Sequence, residues 1–185
     1  MIKSLYKFAA LCGAALLAVP AHAQDMSAFK NGPVFENYGP HAPIEGMSAL
    51  PADAEFAIAF DVAEAAKDGQ RHPGFESAAR FINMHVANGV PAENIKIAIV
   101  VHGKATLDLL NDAAWVKRER AGDANPSAGL LRALLDHGAR IILCGQSGTV
   151  NGLAKADLVE GVEVQLSAMT AHALLQQDGY TVNPF

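Results

Sequence analysis

The chain has 185 residues, 51% hydrophobic and 18% charged, with 14 Lys and Arg against 19 Asp and Glu, a formal net charge of −5. This length suits one domain with a real core, and the acid excess excludes the basic footprint that nucleic-acid binding needs. Two cysteines are too few for a disulfide-stapled scaffold.

Lys3 and Lys7 form a basic n-region, Phe8 to Val19 an apolar h-region, and Ala21-His22-Ala23 a small-x-small cleavage site. Residues 1–23 therefore read as a secretory signal peptide cut after Ala23. The h-region is too short to span a bilayer, and no later run is long and apolar enough. Cys12 sits inside the apolar run, which argues against lipid attachment. Losing Lys3 and Lys7 leaves 12 basic against 19 acidic residues, a formal charge of −7. Cys12 leaves with the leader, so Cys144 becomes the sole thiol. The expected location is the periplasm, with no membrane association after cleavage.

Residues 24–52 carry Pro33, Pro40, Pro43 and Pro51 with Gly32, Gly39 and Gly46 between them, and no helical or strand period survives. This reads as an extended arm, with Val34, Phe35, Tyr38 and Ile44 available to lie on a neighbouring surface, or as a disordered linker. The domain proper, residues 53–185, opens with a strand over Glu55 to Val62. A polar connection follows, then a helix in which Phe75, Ala78, Ala79, Ile82 and Val86 recur at helical spacing until Gly89. Ile95 to His102 is a β-branched run suited to a strand covered on both faces. A short helix is expected around Leu107 to Leu110. Asn111 to Ala124, with Trp115 among charged residues, reads as a helix extension or a mobile excursion. Asn125-Pro126 signals a helix start, Leu130, Leu131, Leu134 and Leu135 make its apolar face, and Gly138 closes it. Ala139 to Cys144 is the third strand, with a short helix starting near Thr149. Val162 to Leu166 is the fourth strand, Ser167 caps a helix over Ala168 to Gln177, and Tyr180 to Val182 is the last strand. The order βαβαβαβαβ predicts an α/β fold: a five-stranded, mostly parallel, doubly wound sheet, flavodoxin-like in shape, with helices on both faces.

Ligands of open α/β sheets bind outside the carboxyl ends of the strands. Three strands end in chemistry-bearing side chains, Asp61, His102 and Cys144, and parallel strands place all three on one rim. A thiol there, facing a helix start, has its thiolate favoured, and His102 is positioned to tune it or to move a proton. Cys144 and His102 are thus the candidate catalytic residues. Gly103, Gly145, Gln146, Ser147 and Asp61 are the candidate ligand-binding ones. Each has a plainer role open to it: a buried inert thiol for Cys144, a hydrogen-bonded rim residue for His102, a turn cap for Asp61. His85, one step off the apolar face of its helix, reads as a satisfied, half-buried histidine. Gly145-Gln146-Ser147-Gly148 is one residue short of a nucleophile elbow. No G-x-G-x-x-G follows the first strand, and no paired-cysteine or His-x-x-x-His spacing suggests a metal. No metal and no cofactor are expected.

Several blocks in order carry a resemblance: Phe60-Asp61-Val62, Ala79 to His85, Val100 to Gly103, Asn125-Pro126, Cys144 to Ser147, and Leu175 to Tyr180. Over about Glu55 to Pro184, with the arm belonging to it too, the chain resembles the DsrE/DsrF-like superfamily, specifically its exported single-domain members. The resemblance implies a doubly wound fold that assembles into homo-oligomers. It also implies sulfur-relay chemistry in which a cysteine carries a persulfide between proteins. Cys144 would then accept a sulfane sulfur from a donor protein and pass it to an acceptor thiol, as a carrier or weak sulfurtransferase, with His102 tuning its ionisation and the amides around Gly145 to Gly148 holding an anionic sulfur group. Two other readings stand beside this one. The rim binds a small ligand or a metal without catalysis, or the chain is an assembly protein; in both, the cysteine is structural.

Overall fold

A computed structural model of the chain describes residues 25–183; the expected leader lies outside the described residues. Five strands form one sheet: β1 (Phe56–Val62), β2 (Ile95–Val101), β3 (Arg140–Cys144), β4 (Glu163–Gln165) and β5 (Thr181–Asn183). The helices are α1 (Pro73–Ala87), α2 (Asp112–Lys117), α3 (Ala128–Asp136), α4 (Gly145–Val150) and α5 (Ala168–Gln177). The strand order is β4-β3-β2-β1-β5 and every pairing is parallel. The expected doubly wound α/β sheet with helices on both faces is therefore present.

Alternation along the strands sorts two cores. Phe60 and Val62 of β1, Ile97, Ile99 and Val101 of β2, and Ile141 and Leu143 of β3 pack against α1 and α3, which contribute Phe75, Ile82, Leu130, Leu131 and Leu134. The opposite face presents Ala59, Ala98, Val100 and Ile142 to Ala171 and Leu175 of α5. Three alanines at that contact let the helix sit close to the sheet. From β1 to β4 the chain steps one way across the sheet, and α5 then returns it over the other face to β5 beside β1. After β3 the chain turns toward the α1/α3 face, where Gly148 of α4 meets Leu143. After β4 it turns toward α5. The connections part there, and a crevice opens at the carboxyl ends of the strands.

The start of α4 differs from expectation. It begins at Gly145, directly after Cys144, and not near Thr149. In the fold Gly145 is needed because a Cβ there would stand 2.8 Å from the Gln165 carbonyl oxygen of the neighbouring strand. Asn111 to Ala124 is neither a helix extension nor a free excursion. Asn111 caps α2 by accepting from the Ala114 amide. Trp115 is buried, donates to the Ala121 carbonyl and lies under Arg120. Asn125 caps the turn before α3, whose regular helix starts at Ala128.

The arm packs on α1 with Asn83 at the centre of the contact. Asn83 is fully buried. Its Oδ1 accepts from the Val34 and Phe35 amides (3.0 and 2.8 Å), and its Nδ2 donates to the Phe35, Tyr38 and Gly39 carbonyls. Arg80 donates to the Pro40 carbonyl and Glu76 accepts from the Gly39 amide. Phe35 enters the core and Val34 and Tyr38 pack against it, while Ile44 stays 63% exposed. His85 bonds the Phe81 carbonyl and stacks on its ring, a satisfied half-buried histidine.

Candidate active site at the strand ends

Cys144 is the last residue of β3, His102 follows β2 directly, and Asp61 is the penultimate residue of β1. The register pairs Val101 with Leu143, so His102 and Cys144 come next to each other on the face opposite those residues. That is the face covered by α5, and its first turns complete the site with Ala168, Met169 and His172. Together with Ser167, Gln146 and Ser147 these residues line a cavity of about 400 Å³.

The thiol of Cys144 is only 5% exposed, yet it forms part of the cavity wall. Burial pushes its pKa up, but the Ser147 hydroxyl and the amides of Ser147, Ala168 and Gln146 outweigh that and hold it below the ordinary thiol value. These groups come from the starts of two helices, so both crossings must be in place for the thiolate to be stabilised. Ser147 is itself held, because its Oγ accepts from the Gly103 amide (3.0 Å). Asn151 binds the Gly103 carbonyl and the Thr106 hydroxyl. Gly103 has φ +56° and would bring a Cβ to 2.8 Å from the Ala63 carbonyl oxygen, so the clamp requires glycine there.

Asp61 accepts from two imidazoles: His172 Nε2 at 2.7 Å and His102 Nε2 at 3.1 Å. Burial pushes its carboxyl up, and the two histidines more than offset this, leaving it below the usual carboxylate value. An ionised carboxylate only accepts, so both rings donate from Nε2. Nδ1 of His102 is thereby left open to a proton, with its side chain 31% exposed at the cavity. Nδ1 of His172 is buried without a partner among the described residues.

Of the candidates, Cys144, His102, Asp61, Gln146 and Ser147 meet at the cavity. Gly103 and Gly145 do not line it; they hold the backbone that positions Ser147 and α4. The groups that lower the Cys144 pKa most belong to Ser147, Ala168 and Gln146, while Nε2 of His102 is turned to Asp61. His172, Ser167 and Met169 complete the site without having been singled out. The helical spacing of Ala168, Ala171, His172 and Leu175 was the available signal, since it puts His172 beside the sheet-facing stripe.

A Cys thiol, two histidines on one carboxylate and converging amides thus share one cavity. The DsrE/DsrF-like family model matches residues 51–184. The chain belongs to this family. Among solved structures, its fold is similar to that of the ychN protein from E. coli, with TM-score 0.51 and 17% identity over 70% of this chain and 99% of that one. A protein of unknown function from Methanobacterium thermoautotrophicum, MTH1491, gives TM-score 0.49 and 20% identity over 71% and 100%. No curated protein matches. Within this DsrE/DsrF-like chain the matched span begins shortly before β1 and takes in every residue of the site, but leaves out most of the arm.

Proposed function

We propose that this DsrE/DsrF-like protein carries sulfane sulfur on Cys144. The observation that carries the reading is a thiol in a cavity wall whose pKa is lowered, despite burial, by groups from two separate chain crossings. Such a thiolate attacks the outer sulfur of a donor persulfide R–S–S–H. The Sγ–S bond forms, the donor S–S bond breaks, and the donor departs as a thiol. The proton from the outer sulfur passes to the departing thiolate through Nδ1 of His102. A second thiolate then takes the sulfur from Cys144 by the same displacement. One S–S bond forms for each one broken, so neither step needs an oxidant.

Treating the purified protein with polysulfide should add about 32 Da per sulfur by intact mass, and a small thiol should remove it. The adduct should be absent in Cys144→Ser. An unmodified wild type, or an adduct that survives in Cys144→Ser, would replace this reading with the structural-cysteine alternative, which the low exposure of Cys144 favours.

The signal-peptide pattern of residues 1–23 supports a periplasmic site of action, with donor and acceptor proteins met there. N-terminal sequencing of exported protein should begin at Gln24. Exposed Val164, Leu166, Met169 and Leu174, on the β4 edge and α5, support assembly into a homo-oligomer. Light scattering on the purified chain checks it, and a monomer at micromolar concentration would count against it.

A further inference from the structure

The composition of the cavity wall limits which sulfur compounds can enter. Among the described residues, no Lys or Arg lines it. Lys104 lies close in sequence but is exposed and outside the wall. The one formal charge contributed by the wall, besides the thiolate, is the Asp61 carboxylate.

Oxyanion sites are built from guanidinium or ammonium groups, or from unspent backbone amides. Here five of the nearby amides are engaged. The Gly103 amide is given to Ser147 Oγ, and the Thr170 amide to Ser167 Oγ. Those of Gln146, Ser147 and Ala168 act on Sγ itself. The histidine Nε2 donors are both spent on Asp61. A sulfonate head would face two negative groups with no cation in the wall to offset them. The rest of the wall, Ala168 and Met169 with the Cys144 sulfur, suits an apolar tail or a chain of sulfur atoms.

We propose that the site takes sulfane sulfur from persulfides and sulfur chains whose groups near the reacting sulfur are uncharged, and rejects sulfur oxyanions such as thiosulfate. This rests on the reading of Cys144 as a sulfur carrier. The accepted donor gives up its outer sulfur with a thiolate as the leaving group. Thiosulfate would have to release a sulfite dianion inside the same cavity.

The test compares donors on the full chain by intact mass. The donors are the hydropersulfide of cysteine methyl ester and thiosulfate, each rate divided by that of the same donor with a small free thiol. The normalised preference for the hydropersulfide should be at least about 100-fold, the size expected for bringing like charges to ~6 Å at an effective dielectric near 20. Iodoacetamide and iodoacetate, normalised in the same way, read the charge selection without any sulfur transfer, and the neutral reagent should win by about 10-fold or more. Met169→Lys places a cation at an 81% exposed position on the wall and should narrow both ratios. Equal normalised loading by thiosulfate would overturn this inference and leave the carrier reading standing. So would a Met169→Lys ratio unchanged from wild type. Charge selection in alkylation with no adduct from either donor would overturn the carrier reading, and the substrate class with it.

Discussion

Among the described residues two His–Asp clusters are built from the same residue types, and they do opposite things. In the first, Asp108 and His72 are 1% and 6% exposed. His72 Nδ1 accepts from the Gly74 amide, capping α1, so Nε2 must carry the proton it gives to the Glu64 carbonyl. Asp108 accepts from the Ala66 amide; burial pushes its carboxyl above the usual value despite that bond and the nearby His72 and Arg120. Every one of these bonds ends on backbone. In the second cluster, Asp61 and His102 are 36% and 31% exposed, and the Asp61 carboxylate takes only imidazole donors. Its pKa moves the other way. The first cluster pins the 63–72 connection to the body. The second keeps an ionised carboxylate and an open ring nitrogen at a cavity. What separates them is where the second nitrogen of each histidine points.

Substitutions can break this contrast. The largest effect is expected for His72→Ala, which removes a helix cap and a buried hydrogen bond and opens a cavity, at about 3 kcal/mol. Urea unfolding should show it, with the alkylation rate of Cys144 in the folded state unchanged. Asp61→Asn should cost stability within about 1 kcal/mol, given its exposure. Sulfur transfer from Cys144 should nevertheless fall about 10-fold or more, because His102 loses the acceptor that fixes its proton on Nε2. A result in which Asp61→Asn is the more destabilising of the two would erase the distinction.

Ser147→Ala sharpens the account of the thiol. It deletes the hydroxyl that holds the pKa down, so the midpoint of alkylation rate against pH should move upward toward that of an ordinary cysteine. The corresponding His102→Gln variant should leave that midpoint in place while slowing transfer. The smallest effect is an acid one. Asp61 has a folded pKa below its unfolded value, so its contribution is fully present above the ordinary carboxylate range and is lost as pH falls through the folded value. Urea midpoints of Asp61→Asn should therefore fall less steeply than those of wild type below about pH 4.

Much of this was legible in the chain itself. The β-branched run Ile95 to Val101 and the apolar run Ile141 to Leu143 announce buried parallel strands, and their common direction alone places Asp61, His102 and Cys144 on one rim. What the chain order does not contain is the crossing of α5 over that rim, which depends on the small residues Ala59 and Ala98, far apart in sequence but paired on adjacent strands; hence His172 was missed. The glycines at 103 and 145 suggested a ligand loop. Their actual reason, close approach to Ala63 and Gln165, lies in neighbouring strands and leaves no local trace. Likewise, the local pattern around His72 does not reveal a cap, because histidine is not a usual capping residue.

The clamp on the arm separates two boundaries that are easily taken for one. Homology to the family begins at residue 51, but the folding unit begins earlier. Cutting the chain at 51 would strand the Asn83 carboxamide, which now makes five bonds to residues 34–39, and bare the apolar seat of Phe35 beside His137. Those bonds join residues up to 49 positions apart, so the arm needs α1 in place to be held, and a span chosen by homology alone would omit it.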